Sequence, residues 1–139
     1  MYLASLQRWK LTGSSHRRLK QTYDNPPIIV TENGCCMPDE DDRLKTEEEL
    51  LRDEWRVDYY KQYIRAAQQA AAEDGVNLRG YFAWTLVDNF EWADGYAPRF
   101  GIIRIDFTTL ERRVKSSARL LSDIIRNNGI DEQILARDY

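Results

Sequence analysis

Two carboxylates in this sequence stand where they could do chemistry. Glu32 closes the run Ile28-Ile29-Val30-Thr31 and is followed by Asn33-Gly34, so a strand would deliver it to a turn. Glu91 stands between Phe90 and Trp92, at the end of a run that opens Gly80-Tyr81-Phe82-Ala83-Trp84. A carboxylate beside flat indole faces suits a pyranose, which offers C–H faces for stacking and hydroxyls as donors. Cleaving a glycosidic bond with retention takes two carboxyl groups about 5–5.5 Å apart, one attacking the anomeric carbon and one serving the leaving oxygen and then water. Each residue also has a plainer reading. Asn33-Gly34 could turn a hairpin with Glu32 solvated beside it, but a hairpin needs a second strand at once, and Cys35 to Lys45 is polar and acidic. Trp84 and Trp92 could be core rings and Glu91 a surface acid. Taken singly, these plainer readings are reasonable.

Positioning such groups requires elements, and the chain signals them in order. Ser15 to Tyr23 reads as a short polar helix, ended by Asn25-Pro26-Pro27, because proline lacks an amide donor and turns the preceding residue away from helix. Ile28 to Thr31 is a β-branched run of the kind expected for a strand buried on both faces. Cys35 to Lys45 is expected to be loop. Thr46 with Glu49 predicts a capping box. The helix it opens would run to about Asp74, burying Val57, Tyr60, Ile64, Ala67 and Ala71, with Gly75 at its C-cap. Leu78 to Leu86 predicts a second strand, since Tyr81, Phe82 and Trp84 favour extended backbone. Asp88 to Arg99 reads as turn-rich, and Phe100 to Phe107 as a short strand or hairpin arm. Ser116 or Ser117 would cap a last helix burying Leu120, Leu121, Ile124 and Ile125 and closing at Gly129. Strand, helix, strand, helix predicts parallel βαβ pairing and an α/β fold.

Composition bounds the rest. A chain of 139 residues can bury a sizeable core, yet is too short for a complete (β/α)8 barrel, typically about 250 residues. At 42% hydrophobic and 31% charged it has the make-up of an ordinary globular protein. A net charge of -3 gives no reason to expect nucleic acid, and no apolar run approaches the length of a membrane span. Met1 to Ser15 contains Arg8 and Lys10 and does not read as a secretory signal, which leaves localisation open. The two cysteines, Cys35 and Cys36, are neighbours that would bridge each other only with strain, so they read as reduced thiols in a loop. The lone histidine, His16, cannot build a site of several imidazoles and reads as a surface residue.

The runs from Pro26 to Gly34 and from Gly80 to Trp92 together closely resemble the C-terminal part of a family 1 glycoside hydrolase, the group of retaining β-glucosidases. The likeness continues through Asp74-Gly75-Val76-Asn77 and Arg99-Phe100-Gly101. It covers residues 15–127, leaving 1–14 as an unmatched N-terminal segment and 128–139 as a C-terminal tail. The resemblance implies an incomplete (β/α)8 TIM barrel, about its last two β/α units. It implies that Glu32 is the nucleophile and that Trp84 forms part of the sugar platform. Glu91 and Trp92 would hold the distal hydroxyls of the non-reducing sugar, and Phe100 would line the pocket. A carboxylate at Glu91 would repel a sugar phosphate by several kcal/mol where both are poorly solvated. The implied substrate is therefore an unphosphorylated β-D-glucoside or oligosaccharide, with β-fucosides and β-galactosides as further candidates. No cofactor and no metal is implied. The chain departs from the pattern at Val114, where a proline is usual, and at Arg104, where a tyrosine is common. More importantly, it contains no Asn-Glu-Pro motif, which in the family carries the acid/base glutamate. The chain is accordingly expected to be a fragment inactive alone, partnered by a missing N-terminal part of the barrel. The alternative is a non-catalytic sugar-binding or barrel-completing module.

Overall fold

The computed structural model describes residues 9–36 and 45–139. Helix α1 (Trp9–Thr22) leads into strand β1 (Ile28–Asn33), and α2 (Glu47–Leu51) and α3 (Glu54–Ala72) return the chain to β2 (Leu78–Ala83). A single 3₁₀ turn, Trp92–Asp94, precedes β3 (Ile103–Ile105) and β4 (Arg112–Val114), after which come α4 (Ser116–Asn127) and α5 (Glu132–Ala136). Strands β1 and β2 pair in parallel, Ile28 opposite Leu78 and Asn33 opposite Ala83. This is the predicted βαβ unit, and among the described residues β1 pairs with β2 and with no strand following Asn33-Gly34. Strands β3 and β4 form a small antiparallel hairpin with Ile103 opposite Val114. Among the described residues the two sheets close no barrel. The fold is α/β, an incomplete TIM barrel of two β/α units. No helix among the described residues is long and apolar enough to cross a membrane.

The core lies between α3, α4 and the sheet. Val57, Tyr60 and Ile64 of α3 meet Leu120, Leu121 and Ile124 of α4, with Ile102, Ile130 and Ile134 filling in and Tyr81 and Ala83 of β2 packed against them. The helical stripe is as expected at Val57, Tyr60, Ile64 and Ala67. At its C-terminal end Ala70 is buried rather than Ala71, which is only half-buried. Gly75 takes the left-handed backbone expected of a helix stop, φ 64°.

The predicted long helix is interrupted. Thr46 and Glu49 make the capping box, but it opens only the short α2. The break falls at Asp53, whose buried carboxylate is drawn inward to the Arg56 guanidinium at 2.5 Å and to the amide and hydroxyl of Ser117 at 2.8 and 2.5 Å. Ser117 thus serves this carboxylate rather than capping α4, whose N-cap is Lys115 with no side-chain bond. Ile125, placed on the buried face of α4 by periodicity, is 77% exposed. The expectation that β1 is buried on both faces also fails: Ile29 is 54% exposed, and among the described residues β2 is the strand's one neighbour.

Helix α1 begins at Trp9, earlier than the predicted Ser15, and packs along α3. That packing overturns the surface reading of His16, which is only 7% exposed. Burial lowers its pKa below the ordinary histidine value. Cys35 and Cys36 form no disulfide, and Cys35 is buried. The predicted loop continues from there through residues 37–44, which lie outside the described residues, as do residues 1–8.

Candidate active site

The two ends of the parallel sheet are built differently. At the N-terminal end, Asn25 ties the neighbouring connections together: its Nδ2 donates to the Gly75 carbonyl at 3.0 Å and its Oδ1 accepts the Asn77 amide at 3.0 Å. The C-terminal end carries Glu32 and Trp84, the end at which βα-barrel units place their functional side chains. Glu32 sits there, exposed, one residue before the end of β1. The next residue, Asn33, accepts the Trp84 amide on its backbone oxygen at 2.8 Å. At Gly34 the approach is closer still, since a Cβ built there would lie 1.7 Å from the Trp84 carbonyl oxygen. Only glycine leaves room for the two strand ends to meet.

The Asn33 side chain is held from both sides. Its Nδ2 donates to the Tyr59 hydroxyl at 3.0 Å, and its Oδ1 accepts from the Tyr81 hydroxyl. The Tyr60 hydroxyl donates to the Trp84 carbonyl at 3.1 Å. Burial pushes all three phenols above the ordinary tyrosine range, so they stay protonated throughout the physiological range.

Trp84, at the end of β2, donates its indole N–H to Glu91 Oε1 at 3.1 Å. The peptide between Trp84 and Thr85 is cis. Glu91 opens the 3₁₀ turn, and its backbone amide donates to the Gly95 carbonyl at 2.7 Å, closing the loop that carries it. Trp92 follows with left-handed backbone, φ 48°, and is 81% exposed. That conformation is unusual for a bulky residue. The Phe90 ring lies edge-on to Trp92 at 6.5 Å and against Tyr96 at 5.4 Å. Half-buried Phe100 lies beside the platform, its carbonyl accepting the Thr85 amide at 3.2 Å.

Asp88 holds this loop from below. It is buried, and its Oδ1 accepts the Gly101 amide at 2.8 Å, with the Lys115 ammonium at 3.4 Å and the Arg99 guanidinium 3.6 Å from Oδ2. A carboxylate so occupied acts as a strut for the loop.

The structure therefore links Trp84 directly to Glu91, packs the exposed Trp92 ring against Phe90, ties Phe100 to Thr85 through the backbone, and joins Glu32 to Trp84 through Asn33. Four residues of the junction were not singled out as site residues from the sequence: Asn33 and Gly34 read as a turn, Tyr60 as core, and Tyr59 not at all. The one available signal was the doubled aromatic at Tyr59-Tyr60, whose two rings point toward one sheet from adjacent helix positions.

Parallel β/α units with a carboxylate and an aromatic platform at their C-terminal ends define a piece of a βα-barrel enzyme scaffold. The family model of Glycosyl hydrolase family 1 matches residues 9–130. The chain belongs to glycosyl hydrolase family 1. Among its relatives, Beta-glucosidase A of Thermotoga maritima is 41% identical over 116 residues, 84% of this chain and 25% of that protein. Beta-glucosidase 42 of Arabidopsis thaliana is 50% identical over 101 residues, 72% of this chain and 20% of the relative. A solved GH1 beta-glucosidase from the fungus Humicola insolens, in complex with glucose, superposes with a TM-score of 0.79 at 42% identity, covering 84% of this chain and 24% of the other. The family 1 β-glucosidase of Thermotoga maritima gives 0.80 at 38% identity, covering 89% and 27%. The chain thus spans between a fifth and about a quarter of the length of these relatives.

Proposed function

We propose that this chain carries the nucleophile and glycone-binding part of a retaining β-glucosidase. The observation that supports it best is the junction at the C-terminal strand ends, where the backbone after Glu32 is bonded to Trp84 and the Trp84 indole holds the Glu91 carboxylate. In this reading the Glu32 carboxylate attacks the anomeric carbon of an unphosphorylated β-D-glucoside, and the bond to the leaving oxygen breaks as the glycosyl ester forms. Trp84 is the stacking face, Glu91 and Trp92 receive the distal hydroxyls, and Phe100 closes the side of the pocket. The names of the relatives, Beta-glucosidase A and Beta-glucosidase 42, agree with that substrate class.

The 139-residue chain holds no Asn-Glu-Pro motif to protonate the leaving oxygen. A positioned acid/base contributes about 10²- to 10⁴-fold, so by itself the chain should not turn over natural glucosides. A dinitrophenyl 2-deoxy-2-fluoro-β-glucoside bypasses that need, because its leaving group departs unprotonated. Intact-mass spectrometry should then show one glycosyl adduct mapping to Glu32 and absent from Glu32→Gln. Absence of label, under conditions where a full-length relative is labelled, would sink the nucleophile assignment in this chain.

A second reading, a barrel-completing module, is favoured by one observation. The sheet face bearing Ile29 and Phe82 is open, both residues more than half exposed.

A further inference from the structure

The strand end after Glu32 and the Trp84 platform are each gripped by the same helix. Tyr59 and Tyr60 are consecutive residues of α3, about 100° apart on the helix, so both can face the sheet. Tyr59 takes a hydrogen bond from the Asn33 amide at 3.0 Å, and Tyr60 gives one to the Trp84 carbonyl at 3.1 Å. These are the residue next to the proposed nucleophile and the residue that holds Glu91. The two contacts are also coupled across the junction, since Asn33 accepts the Trp84 amide and Gly34 abuts the Trp84 carbonyl.

Neither tyrosine is free to drift. Tyr60 is fully buried in the core, and Tyr59 is wedged between Trp55 at 6.2 Å and Tyr63 at 4.2 Å, ring centre to ring centre. Their backbone is anchored one turn earlier, where Arg56 is buried with its Nη2 donating to the Arg99 carbonyl at 2.5 Å. A rigid helix with two adjacent hydroxyls on two strand ends fixes their separation.

We infer that Tyr59 and Tyr60 are positioning residues that set the spacing between Glu32 and the Trp84–Glu91 platform. The inference rests on the proposed glucosidase reading for what the spacing serves, and on geometry alone for its existence. Neither residue touches the sugar in this scheme; each acts through the backbone or side chain of a neighbour.

The test compares the full chain with Tyr59→Phe, Tyr60→Phe and the double variant, which keep ring volume and remove only hydroxyls. Nitrogen-15 spectra should show the Asn33 side-chain amide moving in Tyr59→Phe. The Trp84 indole and the Thr85 amide should move in Tyr60→Phe, with far-UV circular dichroism unchanged. Labelling of Glu32 by the fluoroglucoside should slow at least tenfold in the double variant. Unmoved Trp84 and Asn33 resonances overturn the inference, as does wild-type labelling speed in the double variant. If the wild-type chain is not labelled at all, the glucosidase reading of the chain fails and the resonances alone decide the positioning claim. If labelling slows only as folded protein is lost, the hydroxyls are structural and the inference falls.

Discussion

At Gly34 the requirement is spatial. A Cβ there would lie well inside the Trp84 carbonyl oxygen, so the close meeting of the two strand ends depends on a missing side chain. Asn33 works in the opposite way, through what its side chain reaches: one amide group satisfied by two half-buried phenols. A buried polar group held on both sides rigidifies its surroundings, whereas half of such a network is costly. His16 illustrates a single residue whose burial has a measurable sign. Its folded-state pKa lies below the ordinary 6.5 because burial disfavours the charged ring. Well above 6.5 the ring is neutral in both states and contributes no pH dependence. As pH falls through 6.5 the unfolded chain takes up a proton that the folded chain refuses, so stability drops until the folded pKa is passed. The melting temperature should therefore fall between pH 7.5 and 5.5, and fall less in His16→Leu. An equal fall in both proteins would remove His16 from the account.

Elements show where a buried ion overrides periodicity. By pattern alone, Thr46 to Asp74 is one helix. In the folded chain it breaks at Asp53, whose carboxylate joins Arg56 to the start of α4 at Ser117. Removing one partner of such a buried pair typically costs about 3–5 kcal/mol, so Asp53→Ala should lose that much in urea unfolding. Ser117→Ala, which deletes one hydroxyl bond, should lose about 1–3 kcal/mol. A loss in Asp53→Ala no larger than in Ser117→Ala would mean the ion pair contributes no more than the hydroxyl bond. The same contrast explains what was legible in the sequence. Pro26-Pro27, Gly75 and the stripe Val57-Tyr60-Ile64 act locally, through lost donors, left-handed backbone and one packed face, so they announce themselves. The start of α1, the break at Asp53 and the exposure of Ile125 depend on what each element meets in space. Of the candidate site, Glu32 and Glu91 stood out by their setting beside a turn and between aromatic rings, and Trp84, Trp92 and Phe100 by their resemblance to the family's motifs. Tyr59 and Asn33 did not, because a tyrosine on a helix and an asparagine before glycine have common local explanations.

For the whole molecule, the unresolved demand is the open side of the β1–β2 sheet. Parallel strands are ordinarily covered on both faces, and a lone pair of strands is marginal in water. Here α3 and α4 cover one face. On the other, Ile29 and Phe82 flank Gly80, where an added Cβ would sit 3.4 Å from one and 3.8 Å from the other. Among the described residues both outer edges of the pair carry no further strand. Exposed apolar side chains beside unpaired edges invite association with another chain. In sedimentation velocity the chain should accordingly gain mass with concentration, while Ile29→Lys combined with Phe82→Lys should stay monomeric with unchanged helix content. If the barrel-completing reading is right, a polypeptide bearing the family's other strands and its Asn-Glu-Pro motif should displace the self-associated form and restore glucoside hydrolysis. The charged double variant should neither bind it nor gain activity. A chain that stays monomeric at every concentration and ignores that polypeptide would show that this face is stable in water as it stands, and the second reading would lose the observation that favours it.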